Sequence, residues 1–140
     1  MKILVLCTGN SCRSQMAHGF LQSFDKKLQV FSAGTEPAEK INPTAVKIMS
    51  EIDVDISLYT PKLVTQYINE EWDFVITVCG DANENCPAFF GKVKTRLHIG
   101  FDDPSKAKGT DEFIQSEFYR VRNEISDTFL ELYNKQIKTK

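Results

Sequence analysis

Two cysteine-containing segments hold the side chains best suited to chemistry, and the first is CTGNSCRS, in which five residues separate Cys7 from Arg13. A guanidinium offers two parallel donors to two oxygens of a tetrahedral anion, and consecutive backbone N–H groups in a short loop before a helix add further donors. The same donors and the positive charge would lower the pKa of the Cys7 thiol. The segment therefore predicts an oxyanion-binding loop with a nucleophilic sulfur.

Residue types inside this loop support the prediction. Gly9 permits backbone geometry that a side chain would hinder, Asn10 can hydrogen-bond its neighbours, and Ser14 could donate a hydrogen bond to the sulfur. The alternative is an inert, buried Cys7 with a surface arginine, but the apolar run before the cysteine and the helical pattern after it favour a functional loop. Seven residues are assigned to oxyanion binding: Thr8, Gly9, Asn10, Ser11, Cys12, Arg13 and Ser14.

The second segment is CGDANENC, with Cys79 and Cys86 separated by six residues. Two thiols can supply two electrons by ending as a disulfide. The intervening residues make a poor core sequence that could unfold locally and bring the sulfurs together. The alternative, two small packed residues, suits Cys79 at the end of an apolar strand better than Cys86. Neither cysteine pair has the spacing of a zinc site, so no metal is expected.

Composition excludes several classes of function. The 140 residues predict one domain, 1–140, and a net charge of -2 is unsuited to neutralising nucleic acid. No apolar run approaches the ~20 residues that span a bilayer, and the first residues do not read as a signal peptide. We expect a cytoplasmic monomer that acts on no membrane or nucleic acid.

Strands alternate with helices along the chain, which predicts an α/β fold with a four-stranded parallel sheet and helices on both faces. In such sheets ligands bind beyond the carboxyl ends of the strands, so Cys7, Cys79 and the FDDP loop should meet at one edge. The predicted strands are Lys2–Cys7, 28–34, 73–79 and 94–99. The predicted helices begin at a Ser14 cap, at Asn42 and Pro43 (ending about Ile52), at Pro61 and at Asp111, and 80–92 is expected to be a loop.

Several motifs together resemble the low-molecular-weight tyrosine phosphatase fold, whose signature is C-x5-R-S near the N-terminus. The chain resembles still more the thioredoxin-coupled arsenate reductases built on that fold. It extends from the first strand to the last helix, and it implies that Asp103, just before Pro104, is the general acid. The motifs are CTGNSCRSQMA, SAG, NP, DIS, FDDP and RVRNEI.

The resemblance implies a thiol relay without a tightly bound cofactor. Cys7 attacks arsenate, Cys79 then attacks Cys7 and releases arsenite, and Cys86 attacks Cys79. Thioredoxin, the external reductant, reduces the resulting Cys79–Cys86 disulfide, and phosphate or sulfate could occupy the same loop. Cys12 is common in phosphatases of this fold, where it can protect the nucleophile, but we assign it no step and expect it to pack the loop.

Many reductases of this branch bind potassium beside the loop through acidic side chains. The matching positions hold His18 and Lys62, and neither side chain suits a hard cation. We therefore expect no potassium site. Lys62 either supplies positive charge in its place or is a solvated surface lysine.

Three other functions use some of the same residues. A low-molecular-weight protein-tyrosine phosphatase would hydrolyse phosphotyrosine through a Cys7 phosphoenzyme with Arg13 and Asp103, but the aromatic residues usual after its Asp-Pro pair are replaced by Ser105-Lys106-Ala107. A non-catalytic phosphocysteine carrier has no use for the second cysteine pair, and a redox sensor has no need for the general acid. Reduction of arsenate with weak phosphatase side activity therefore fits best.

Overall fold

A four-stranded parallel sheet forms the centre of the computed structural model, which describes residues 1–138. All four residues from Ile3 to Leu6 are inaccessible to solvent, so both faces of the first strand are covered, as its uninterrupted apolar sequence predicts. The spatial order is β2-β1-β3-β4. The strands are β1 (Lys2–Cys7), β2 (Gln29–Gly34), β3 (Trp72–Thr77) and β4 (Val93–His98).

Four α-helices accompany the sheet within residues 1–138: α1 (Arg13–Phe24), α2 (Pro43–Ser50), α3 (Gly80–Asn85) and α4 (Asp111–Leu132). Helix α2 begins where the sequence predicts, because the Asn42 side chain accepts hydrogen bonds from the next turn. Helix α4 follows a Thr110 cap and buries one apolar face against the core, formed by Phe118, Val121, Ile125, Phe129 and Leu132. Helix α1 packs against α4, β1 and β2. The α/β fold with a four-stranded parallel sheet and helices on both faces is confirmed.

Two helix starts differ from the prediction. Cys12, not Ser14, occupies the cap position of α1, and Ser14 lies inside the helix with its side chain buried. The segment after Pro61 forms only one 3-10 turn, Val64–Gln66. Leu63 remains partly exposed, so the segment does not bury a continuous apolar face. Without that burial, tertiary packing does not stabilise a longer helix here.

The expected loop after Cys79 begins as a helix, α3. Its sequence has a single apolar residue, Ala82, so it shows no amphipathic pattern. Local contacts stabilise it instead: the Ala82 N–H donates to Cys79 Sγ at 3.4 Å, and Asn85 Nδ2 donates to Asp81 Oδ1 at 2.7 Å. A helix that depends on these few polar contacts should open at a low free-energy cost.

The register of the sheet brings the predicted chemical groups to one edge. Leu6 pairs with Thr77 in the β1–β3 ladder, and the Val78 N–H donates to the Leu6 carbonyl at 2.9 Å. Continuing this register places Cys79 beside Thr8, one residue beyond Cys7. Within residues 1–138 no helix is both long and apolar enough to cross a membrane.

Candidate active site

The Cys7 sulfur lies inside a loop of hydrogen-bond donors. The Asn10 N–H donates to Sγ at 3.2 Å, and Ser14 Oγ lies 3.0 Å from the same atom. Asn10 Nδ2 donates to Ser14 Oγ at 2.7 Å, which leaves the hydroxyl hydrogen of Ser14 free to point at the sulfur. The predicted contact between Ser14 and Cys7 is therefore present.

Burial raises the pKa of the Cys7 thiol above its ordinary value. Hydrogen bonds from Ser14 and Asn10 and the charge of Arg13 act in the opposite direction, but they are smaller than the cost of moving a thiolate out of water. The sequence-based expectation of a lowered pKa is therefore wrong for this conformation. The donors were inferred correctly, but their pattern does not show how completely the sulfur is buried.

Asn10 fixes the shape of the loop. It has a positive φ of 51°, a conformation that asparagine tolerates better than most residues, and it is fully buried. Its carbonyl accepts from Gln15 Nε2 at 3.0 Å, and its Oδ1 accepts from the Lys62 N–H at 2.9 Å. A Cβ at Gly34 would lie 2.3 Å from the Thr8 carbonyl oxygen, so the neighbouring strand end must be glycine. These contacts fix the backbone conformation of the loop without a ligand.

Arg13 and Asp103 face each other across the loop. The guanidinium donates to the Phe101 carbonyl at 3.0 Å and lies 3.4 Å from Asp103 Oδ2. Asp103 Oδ1 accepts from the N–H and the hydroxyl of Ser105, at 3.0 and 2.6 Å. A cavity of about 350 Å³ opens between them, with room for a tetrahedral oxyanion, and its lining is Cys7, Thr8, Gly9, Ser11, Cys12, Arg13, Asp81, Asp103, Ser105 and Lys106.

Backbone N–H groups complete the anion-binding character of this cavity. Those of Gly9, Ser11 and Cys12 have no acceptor among the described residues. Their sequence position, directly before α1, adds the positive end of the helix dipole. The Cys12 thiol is buried, which raises its pKa and suits a packing role.

Cys79 lies next to the oxyanion loop. Its Sγ is 3.3 Å from Thr8 Oγ1, and Thr8 directly follows Cys7 in the chain. Thr8 Oγ1 also donates to Asp81 Oδ2 at 2.9 Å. Asp81 is a site residue that the sequence analysis missed, because its place beside Thr8 depends on the β1–β3 register and no local motif signals it. A second thiol therefore stands one side chain away from the proposed nucleophile.

Cys86 is not part of this cluster. It is half-buried beyond the far end of α3 and faces a separate cavity of about 250 Å³ that also contains Arg96 and His98. Burial raises the pKa of its thiol, and the Arg96 charge partly offsets that rise. The six residues of α3 rise about 9 Å along the helix axis, whereas a disulfide needs Cα atoms within about 7 Å. Helix α3 must therefore open before Cys79 and Cys86 can join.

His18, at one of the two positions that correspond to the potassium site of related reductases, is held by other side chains. His18 Nδ1 lies 3.0 Å from Ser32 Oγ, which in turn donates to Gln15 Oε1 at 3.3 Å. The His18 ring stacks on Tyr59 with centroids 4.2 Å apart. The adjoining cavity, which His18 and Lys62 line, has no carboxylate in its wall. Hard cations favour anionic oxygen ligands, so the absence of potassium binding stays a prediction.

We predict that His18 makes the protein less stable in mild acid. Burial lowers its pKa from 6.5 to about 4. Between these two pH values the imidazole is protonated in the unfolded chain and neutral in the folded protein. Stability is lost from pH 6.5 down to about 4, by about 1.4 kcal/mol per pH unit and about 3 kcal/mol in all.

Urea unfolding at pH 7 and pH 5 measures this loss. His18→Asn should show a drop about 2 kcal/mol smaller than the wild type between those pH values. His98→Gln removes the other histidine, which is exposed, and should keep the wild-type drop. Equal drops in all three proteins would contradict the prediction.

Comparisons with known proteins connect this geometry to one family. The sequence pattern of the family described as low molecular weight phosphotyrosine protein phosphatase matches residues 2–140. An arsenate reductase of Shouchella clausii is 51% identical over 124 residues, which are 88% of this chain and 88% of that protein.

Solved structures agree with the sequence comparisons. An arsenate reductase in its phosphate-binding state superposes with a TM-score of 0.80 at 29% identity, covering 96% of this chain and 97% of that one. A thioredoxin-dependent arsenate reductase of Corynebacterium glutamicum superposes with a TM-score of 0.69 at 30% identity, covering 99% of this chain and 61% of that one. The resemblance inferred from the motifs is therefore confirmed.

Proposed function

Because the chain belongs to the low molecular weight phosphotyrosine protein phosphatase family, we propose that it reduces arsenate to arsenite with its own thiols. One observation carries the proposal beyond the family: Cys79 Sγ lies 3.3 Å from the hydroxyl of Thr8, directly beside the oxyanion loop. A phosphatase needs one nucleophile, since water completes its reaction. A second thiol in this position is what a two-electron reduction requires.

In the first step arsenate binds the backbone N–H groups of the loop and the Arg13 guanidinium, and Cys7 attacks arsenic. The sulfur–arsenic bond forms, one arsenate oxygen leaves as water, and arsenic remains As(V). Arg13 now holds Asp103 Oδ2 at 3.4 Å. An oxyanion competes for this guanidinium, and Asp103, in the wall of the same cavity, delivers a proton to the leaving oxygen.

In the second step Cys79 attacks the Cys7 sulfur. The Cys7–Cys79 disulfide forms, and the electron pair of the sulfur–arsenic bond passes to arsenic, which leaves as arsenite. Two thiols have then lost the two electrons that arsenic gained. The structure supports this order because Cys79 lies beside the loop and Cys86 does not.

In the third step Cys86 attacks Cys79 and releases Cys7 as a thiol. Opening of α3 brings the two sulfurs together, and the partly exposed segment that follows Cys86 can present the new disulfide to a reductant. Thioredoxin is the reductant that fits, and one structure similar to this chain is named thioredoxin-dependent. We place the protein in the cytoplasm, where thiols are kept reduced, with a role in arsenic resistance.

The reaction needs no tightly bound cofactor and no potassium. Exchanging sodium for potassium at constant ionic strength should change the rate by less than about twofold, because the cavity that His18 and Lys62 line has no carboxylate to hold a hard cation. Steady-state arsenate reduction in the two salts measures this. A strong rise in potassium would show that a cation site forms here.

A coupled assay tests the proposed function. Arsenate should drive oxidation of NADPH through thioredoxin reductase and thioredoxin, with one NADPH used per arsenite formed. An aryl phosphate should be hydrolysed slowly without NADPH use, because the same loop binds phosphate. Brisk hydrolysis of phosphotyrosine with no response to arsenate would instead assign the chain to the phosphatases of the family.

A further inference from the structure

The Thr8 hydroxyl connects the Cys79 thiol with the Asp81 carboxylate. Its Oγ1 lies 3.3 Å from Cys79 Sγ and 2.9 Å from Asp81 Oδ2. The other Asp81 oxygen accepts from Asn85 Nδ2 at 2.7 Å, which fixes the orientation of the carboxylate. Cys79 is buried, whereas Asp81 is exposed at the mouth of the oxyanion cavity. A short hydrogen-bonded chain therefore runs from a buried thiol to a solvated carboxylate.

The direction of this chain follows from counting protons. An ionised carboxylate only accepts, so Thr8 must donate its single hydroxyl hydrogen to Asp81. The Thr8 oxygen then accepts from Cys79, which places the thiol hydrogen in line with the hydroxyl. Each donor points toward the carboxylate, which is the arrangement that a proton relay requires.

We propose that Asp81 is the base that takes the Cys79 proton, through the Thr8 hydroxyl, when Cys79 attacks Cys7. This inference rests on the proposed function. The thiol proton moves to Thr8 Oγ1 as the hydroxyl proton moves to Asp81 Oδ2, and the Cys79 sulfur forms the disulfide as the sulfur–arsenic electron pair leaves with arsenite. Asp81 then releases its proton to solvent.

This relay gives the Cys79 proton a route out of a buried site. The site already holds an anionic arsenic group, which disfavours a further negative charge there. Transfer through Thr8 moves a negative charge that already exists from Asp81 to Cys79 and adds no net charge to the site. The Thr8 hydroxyl, now donating toward the sulfur, stabilises the thiolate as it forms.

Single-turnover experiments with arsenate test the relay, with disulfide formation followed by rapid acid quench. Asp81→Asn should slow formation of the Cys7–Cys79 bond by about 10²-fold, a typical contribution of a general base. Glu84→Gln is the matched control, because it removes the same charge from another exposed position of α3 and should keep the wild-type rate. Asp81→Glu should recover part of the loss.

The pH profile separates a proton relay from a structural effect. The wild-type rate of the second step should be nearly flat between pH 6 and 8, whereas in Asp81→Asn it should rise by up to about tenfold per pH unit because solvent must take the proton. Thr8→Val should slow the step as much as Asp81→Asn. The double variant should be no slower than either single variant, because each substitution interrupts the same hydrogen-bonded path. Thr8→Ser keeps the hydroxyl group and should therefore react at close to the wild-type rate.

Three results would overturn the relay: equal rates in Asp81→Asn and Glu84→Gln, equal pH slopes in wild type and Asp81→Asn, or losses that multiply in the double variant. Failure of the proposed function looks different, because the wild type itself would then form neither arsenite nor a disulfide. Hydrolysis of an aryl phosphate, which uses Cys7 but not Cys79, reports any damage to the loop in each variant.

Discussion

Substituting Cys86→Ser should limit the protein to one arsenite per molecule. The first two steps use only Cys7 and Cys79, and Cys79 lies beside Thr8, the residue after Cys7, so arsenite still forms. Without the third thiol nothing releases Cys7, and the Cys7–Cys79 disulfide accumulates. Arsenite quantified against enzyme concentration, with peptide mapping of the trapped disulfide, measures the effect.

The phosphatase activity of the same variant is the control. Hydrolysis of an aryl phosphate by the reduced protein should remain largely intact, because Cys86 faces a cavity separate from the oxyanion loop. Sustained turnover of arsenate with thioredoxin would show that the third cysteine is dispensable and that the Cys7–Cys79 bond is reduced directly.

Substituting Cys7→Ser should abolish both arsenate reduction and phosphatase activity, by a factor of about 10⁴ or more, as removal of a catalytic nucleophile typically does. The serine hydroxyl is a poor nucleophile at neutral pH and forms no disulfide. Initial rates for both substrates measure the loss. Serine is only slightly smaller than cysteine and can keep the hydrogen bonds with Asn10 and Ser14, so the thermal unfolding midpoint should stay close to that of the wild type.

The two activities must fall together if one residue begins both reactions. Arsenate reduction that survives in Cys7→Ser would mean that Cys79 attacks arsenic itself. Phosphatase activity that survives would move the nucleophile out of this loop. Either result would contradict the assignment of Cys7.

The oxyanion loop could be predicted from sequence because its signal is local. An uninterrupted apolar strand, a cysteine, an arginine and an amphipathic helix follow one another within a single β1–α1 unit. The parallel sheet also follows from the regular alternation of strands and helices. For these elements, short-range pattern and tertiary structure agree.

The remaining features depend on contacts between distant segments. Helix α3 shows no amphipathic pattern, and its stability comes from the contacts of Cys79 and Asp81. Asp81 reaches Thr8 only because β1 and β3 pair in one particular register. The raised pKa of Cys7 reflects the completeness of its burial, which no residue spacing encodes. Each is a tertiary effect that overrides or adds to local sequence preference.

The most direct test of the thiol relay is a thiol count after one turnover without reductant. The fully reduced protein has four thiols, and one equivalent of arsenate should leave two, with one arsenite formed and Cys79 joined to Cys86. Peptide mapping should find Cys7 and Cys12 as free thiols. Four remaining thiols with no arsenite, or a disulfide between Cys7 and Cys12, would contradict the relay.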